Sequence, residues 1–119
     1  MELKLRKAGS IYVIDVTGEM DLYNAFKLKD LVRKMIDGKV TSYILNLEKV
    51  TYLDSSGIGS LLYVHSELKK RGLPLRIVGV TGSVRKVIEL TKLMEYFPIV
   101  ADLGTALQQL KQNVEKGSA

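Results

Sequence analysis

The residues best suited to chemistry stand together in Asp54-Ser55-Ser56-Gly57-Ile58-Gly59. Two hydroxyls follow an acid and precede two glycines. The run separates an apolar, strand-like segment from an amphipathic, helix-like one. A serine at a helix start is normally a cap. Here the glycines offer no side chain to shield it, so a bare hydroxyl is expected. Free N–H groups and the helix dipole favour an anion at such a position. The chemistry that fits is addition and removal of a phosphate on serine, with simple capping as the alternative use.

Other reactions fit less well. Gly57-Ile58-Gly59 invites a nucleotide-binding reading, but a dinucleotide fingerprint needs a third glycine where Leu62 stands, and the chain has no Gly-Lys-Ser/Thr ending. A serine hydrolase needs Gly-x-Ser-x-Gly, and neither Ser55 nor Ser56 has that context. His65, the one histidine, lies roughly 15 Å along a helix from Ser55, beyond hydrogen-bond reach. It reads as a half-buried helix residue with a partner for its ring. Asp21 and Asp54 approach one another if both loops follow parallel strands at one sheet edge. Two carboxylates with serine hydroxyls suit magnesium, but capping by Asp21 and turn ordering by Asp54 explain them more simply. No metal and no cofactor are expected.

Bulk properties narrow the class. The 119 residues suit one domain, with a normal 46% hydrophobic and 26% charged. Without cysteine there is neither disulfide nor thiolate metal site. No run reaches membrane-span length, and the first residues lack a signal-peptide pattern, so a cytoplasmic protein is expected. The net charge of +5 invites an anionic partner. The basic residues, however, occur in groups of at most three, such as Lys69-Lys70-Arg71, with acids between them. The six tyrosines are scattered rather than arranged as a base-stacking platform. Direct nucleic-acid binding is not expected.

The elements that must position the serines alternate along the chain. Leu3 to Lys7 and Ile11 to Val16 read as a hairpin around Ala8-Gly9-Ser10. Thr17 to Asp21 reads as a loop ending in a helix cap at Asp21. Ala25, Leu28, Leu31, Val32, Met35 and Ile36 share one face of a first helix, with Gly38 as its left-handed C-cap. Tyr43 to Leu47 reads as a strand buried on both faces. A second helix follows the serine motif and ends at Arg71-Gly72. A strand over residues 75–80, a third helix capped by Ser83 and a short strand at Phe97-Pro98-Ile99-Val100 come next. Asp102 is expected to cap a final helix carrying Leu103, Ala106, Leu107, Leu110 and Val114. This alternation predicts an α/β fold: an N-terminal β-hairpin joined to a mainly parallel sheet of four to five strands, with about four helices. Residues 1–114 form one domain, and residues 115–119 are expected to be a disordered tail.

The motif residues, preceded by Ile44-Leu45-Asn46-Leu47, resemble the signature of STAS domains, in particular the bacterial anti-sigma factor antagonists. Gly18-Glu19-Met20-Asp21 matches a second motif of that family, a Gly-Glu-Leu-Asp-like loop before the first helix, with Met20 replacing the leucine. The order of elements agrees over nearly the whole chain.

The resemblance implies a partner-switching protein rather than an enzyme, and a monomer in the free state is the default expectation. In that scheme the unmodified antagonist binds an anti-sigma factor that is also a serine kinase, and a sigma factor is released. The kinase phosphorylates the serine after the motif aspartate, which is Ser55 here, and a PP2C-type phosphatase reverses it. Asp21 matches the family's partner-contacting loop aspartate, and Asp54, Ser56, Gly57, Ile58 and Gly59 complete the partner-binding loop. Ile58 also fits the inward stripe of the helix. Ser56 is expected to serve as the helix cap. The competing readings are an unphosphorylated STAS scaffold of a stress-signalling or lipid-transport complex, and a nucleotide-binding protein.

Overall fold

The computed structural model describes residues 1–117, with side chains to Gln112. Its sheet has four strands in the order β1-β2-β3-β4. β1 (Glu2–Ala8) and β2 (Ile11–Met20) form the antiparallel hairpin, turning at Gly9 with φ +64°. β2 then pairs in parallel with β3 (Ser42–Leu53), and β3 with β4 (Leu75–Val78). Phe97-Pro98-Ile99-Val100 adds a single parallel bridge between Ile77 and Ile99 rather than a full fifth strand. α1 is Phe26–Asp37, α2 Ser55–Lys70, α3 Gly82–Leu90 and α4 Leu103–Gly117. The frayed tail expected over residues 115–119 falls in part on residues 118 and 119, outside the described residues, as does the side chain of Val114.

Alternation along the central strands divides the core in two. Ile14, Tyr43, Leu45 and Ile77 face α1, α2 and α3, packing against Leu28, Val32, Leu61, Val64, Leu68 and Ile88. Ile11, Val13, Ile44 and Val78 face the other way, onto Ala106 and Leu110 of α4. β3 therefore lies between layers, which is why its first half is apolar on both faces. Past α4 the second face is polar: Arg6 forks onto Asp15 at 2.6 and 2.8 Å, and Asn46 Nδ2 donates to Asp15 at 2.9 Å. The guanidinium holds the Asp15 carboxyl below its ordinary value.

Several expected boundaries and caps are corrected. β2 continues through the Gly18-Glu19-Met20 motif instead of ending at Val16, by means of register shifts between Asp15 and Thr17 and between Gly18 and Glu19. Gly18, at φ +95°, supplies the backbone conformation this irregularity needs. β3 likewise runs on to Leu53. The left-handed residue after α1 is Lys39 (φ +67°), not Gly38 (φ −80°). Ser83 does not cap α3. Thr81 holds that position without a side-chain bond, and the Ser83 hydroxyl donates to the Thr51 carbonyl at 3.1 Å, pinning α3 to the end of β3. Asp102 does act at the start of α4, accepting from the Thr105 N–H at 2.7 Å.

Candidate functional site

β2 and β3 run parallel and end side by side, with Met20 opposite Leu53. The chain leaving each strand therefore enters the same corner, which brings Asp21 and Asp54 together. Asp54 caps α2: its Oδ1 accepts from the N–H groups of Ser56 (2.8 Å) and Gly57 (3.1 Å). Its Oδ2 accepts from the N–H of Leu22 at 3.2 Å. One carboxylate thus satisfies the helix start and ties it to the neighbouring loop. The cap is Asp54 rather than Ser56, which contributes only its backbone donor.

Asp21 does not cap α1 directly. The helix begins five residues later, and Ala25 at its N-cap position makes no side-chain cap bond. Asp21 instead builds the intervening turn. Its Oδ1 accepts from the Tyr23 N–H at 2.9 Å, and its carbonyl accepts from the N–H groups of Asn24 and Ala25 at 3.2 and 2.9 Å. Asn24 closes the loop: its Oδ1 accepts from the Asp21 N–H at 3.0 Å, and its Nδ2 donates to the Glu19 carbonyl at 2.9 Å. Asp54 thus accepts backbone donors with both carboxylate oxygens and Asp21 with one.

The small residues divide by role. Gly57 is buried, and a Cβ there would sit 2.8 Å from the Met20 carbonyl oxygen and collide with Leu53 Cδ1. Gly57 lets α2 press onto the ends of β2 and β3. Ile58 is also buried, in the main core. These two expected contact residues support the surface from beneath rather than forming it. Gly59 has nothing within 4 Å of a Cβ and is open. Ser55 is exposed and Ser56 half-buried. Ser60 is fully buried, its hydroxyl donating to the Ala25 carbonyl at 2.9 Å and joining α2 to the start of α1.

Most of the anion-binding capacity expected of this helix start is already used. Asp54 takes the N–H groups of Ser56 and Gly57 through its side chain and that of Ile58 through its carbonyl, at 3.0 Å. A phosphate at Ser55 would meet a carboxylate where the sequence led one to expect open donors. The same occupancy weakens the nucleotide-binding reading. His65 lies farther along α2, edge-on to Tyr96 and Phe97 at centroid distances of 5.0 and 6.0 Å. Burial and then the nearby Lys69 charge lower its pKa, opposed by a hydrogen bond that the ring donates to the Tyr96 backbone.

The STAS domain family model matches residues 2–106. The chain belongs to the STAS domain family. An anti-sigma-B factor antagonist of Staphylococcus aureus (strain NCTC 8325 / PS 47) is 30% identical over 84 residues, covering 71% of this chain and 78% of the relative. Two solved structures share the fold. An anti-sigma factor antagonist from Mycobacterium paratuberculosis has a TM-score of 0.82 at 24% identity, covering 92% of this chain and 93% of that one. The Bacillus cell fate determinant SpoIIAA in its phosphorylated form has a TM-score of 0.70 at 23% identity, covering 92% and 99%.

Within this STAS domain, sequence reading missed Asn24 and Ser60, whose roles depend on carbonyls 5 and 35 residues away. It also passed over Leu22, Tyr23 and Phe26, all exposed at the corner. A signal for Phe26 was present, since it falls outside the helical spacing of Ala25, Leu28, Val32 and Met35.

Proposed function

We propose that this STAS domain is an anti-sigma factor antagonist controlled by phosphorylation of Ser55. The observation that carries the reading is the difference in access among the hydroxyls at the start of α2. Ser55 is exposed, Ser56 is half-buried, and the Ser60 hydroxyl is buried and engaged. The name of the Staphylococcus aureus relative and the phosphorylated form of SpoIIAA support the same reading.

In the unmodified state the corner formed by Asp21, Asp54, Ser55, Ser56 and Gly59 docks on an anti-sigma factor that is a serine kinase, and a sigma factor is freed. The kinase transfers the γ-phosphoryl group of ATP to Ser55 Oγ, and a PP2C-type phosphatase removes it. The protein itself is a cytoplasmic regulator rather than an enzyme, and monomeric when free. Phosphate brings about −1.5 to −2 charges at neutral pH. The N–H groups of Ser56, Gly57 and Ile58 are held by Asp54, so the new charge adds to an existing carboxylate and faces the partner. A loss of about 3–4 kcal/mol on binding lowers affinity by about two to three powers of ten.

Incubation of the protein with its cognate kinase and ATP should add one phosphate by mass, and Ser55→Ala should abolish it. Persistent phosphorylation of Ser55→Ala would refute the site. Binding to the kinase should fall after phosphorylation of the wild type; equal binding of both forms would remove the switching role.

A further inference from the structure

The geometry points to Leu22, Tyr23 and Phe26 as the part of this STAS domain that grips the anti-sigma factor, while Ser55 only permits or forbids contact. This inference rests on the antagonist reading above and adds to it which side chains supply the affinity.

Among the described residues seven large hydrophobic side chains are exposed, and three of them fall within these five consecutive positions. Leu22 is 70% exposed, Tyr23 83% and Phe26 55%. Single exposed apolar residues are ordinary, but grouped ones mark interaction surfaces. Leu22 and Phe26 are four residues apart in a segment that already coils from Asp21, where the Ala25 N–H bonds back to the Asp21 carbonyl. That spacing sets them on one side.

The ridge is also held in shape. Asp54 accepts from the Leu22 N–H, Asp21 from the Tyr23 N–H, and Asn24 bonds to both Asp21 and Glu19. The Ala25 carbonyl between Tyr23 and Phe26 is fastened to Ser60 of α2. A backbone fixed at this many points presents its side chains with little ordering cost on association. Tyrosine is among the residue types that dominate interface energetics, and a few such anchors carry most of the affinity.

Position identifies the occupant. Asp54 holds Leu22 with one oxygen and caps the helix that begins at Ser55 with the other. The ridge backbone and the residue preceding Ser55 are thus in direct contact, and a partner broad enough to cover the ridge reaches the start of α2. Only a protein sensitive to the state of Ser55 meets both conditions, and on the antagonist reading that is the anti-sigma factor. It should offer an apolar cleft for the three side chains, with the Ser55 hydroxyl at the cleft's edge.

The test uses the purified anti-sigma factors of the source organism as probes, titrated with wild type and with Leu22→Ala, Tyr23→Ala, Phe26→Ala and Leu90→Ala. Leu90 is 77% exposed on α3 and serves as the apolar control. Tyr23→Ala and at least one of the other ridge variants should each weaken binding by about tenfold or more. Leu90→Ala should bind as wild type does, and thermal midpoints of all four should stay close to the wild-type value. If wild type binds and loses binding on phosphorylation, yet the ridge variants bind unchanged, the ridge inference falls and the antagonist reading stands. If wild type binds none of the probes, both fall. Sedimentation completes the test: a self-associated form that Tyr23→Ala disperses would make a second copy of this chain the occupant and overturn the assignment.

Discussion

At the start of α2 a carboxylate takes two helix N–H groups, the side chains are small, and a glycine is wedged against two strand ends. At the start of α1, a few residues away in space, no side chain caps the helix and the side chains are large, apolar and exposed. Asp54 and Ser60 join the two regions, one through the Leu22 N–H and the other through the Ala25 carbonyl. The contrast separates two requirements of a switch. The modified position needs a rigid, uncluttered hydroxyl, because added charge should change binding and leave the fold alone. The gripping position needs apolar area. One segment meets both poorly, since bulky side chains beside Ser55 would bar an enzyme from its hydroxyl.

The sharpest way to break this contrast is at the two glycines. Gly57→Ala should cost about 3 kcal/mol in chemical denaturation, since the new methyl meets the Met20 carbonyl and Leu53. Gly59→Ala adds a methyl in open space within a helix and should be stabilising by about 0.5–1 kcal/mol. Similar effects from both would show that α2 does not bear on the strand ends as described.

Next in size is Ser60→Ala. It removes the buried hydrogen bond that ties α2 to the Ala25 carbonyl and should cost about 1.5 kcal/mol. Hydrogen exchange should quicken at the α1 start and not at α4; uniform quickening would argue against a local tie. Asp54→Ala removes the cap and the link to Leu22 together, and should cost about 1–2 kcal/mol in thermal unfolding. Asn24→Ala should cost less, because its bonds lie in a turn that is exposed or only part-buried.

The smallest effect concerns the far end of α2. His65 is held below its ordinary pKa of 6.5, chiefly by burial. Its neutral form is favoured in the folded state, so its contribution is present above pH 6.5 and lost as pH falls through the lower folded value. The fall in thermal midpoint on acidification below pH 6.5 should be shallower in His65→Gln. An unchanged slope would show that another group governs that range.

How much of this was legible in the sequence depends on the range of the interactions. The hairpin, the amphipathic faces of α1 and α2 and the doubly buried start of β3 were readable, because each is a periodicity of hydrophobic residues in a short window. The pairing of the two motifs was readable from their spacing and from the parallel topology. The caps were less so. Asp54, Ser55 and Ser56 are all acceptable N-cap types, and which one takes the role depends on where the helix axis lies relative to β3. The extension of β2 through Gly18-Glu19-Met20 was hidden because its irregular pairing with β3 obscures the twofold alternation.

Local order of residue types therefore dictates which elements form, their sequence along the chain and the segment where a serine can stand bare, since these follow from propensity and pattern over a few neighbours. The burial of Gly57 against Met20, the tie from the Leu22 N–H to Asp54 and the tie from Ser60 to the Ala25 carbonyl, which fix the segment carrying Leu22, Tyr23 and Phe26, arise only when β2 and β3 end side by side. Each depends on contact between atoms more than 30 residues apart in the chain, and such contacts leave no periodic trace in the sequence.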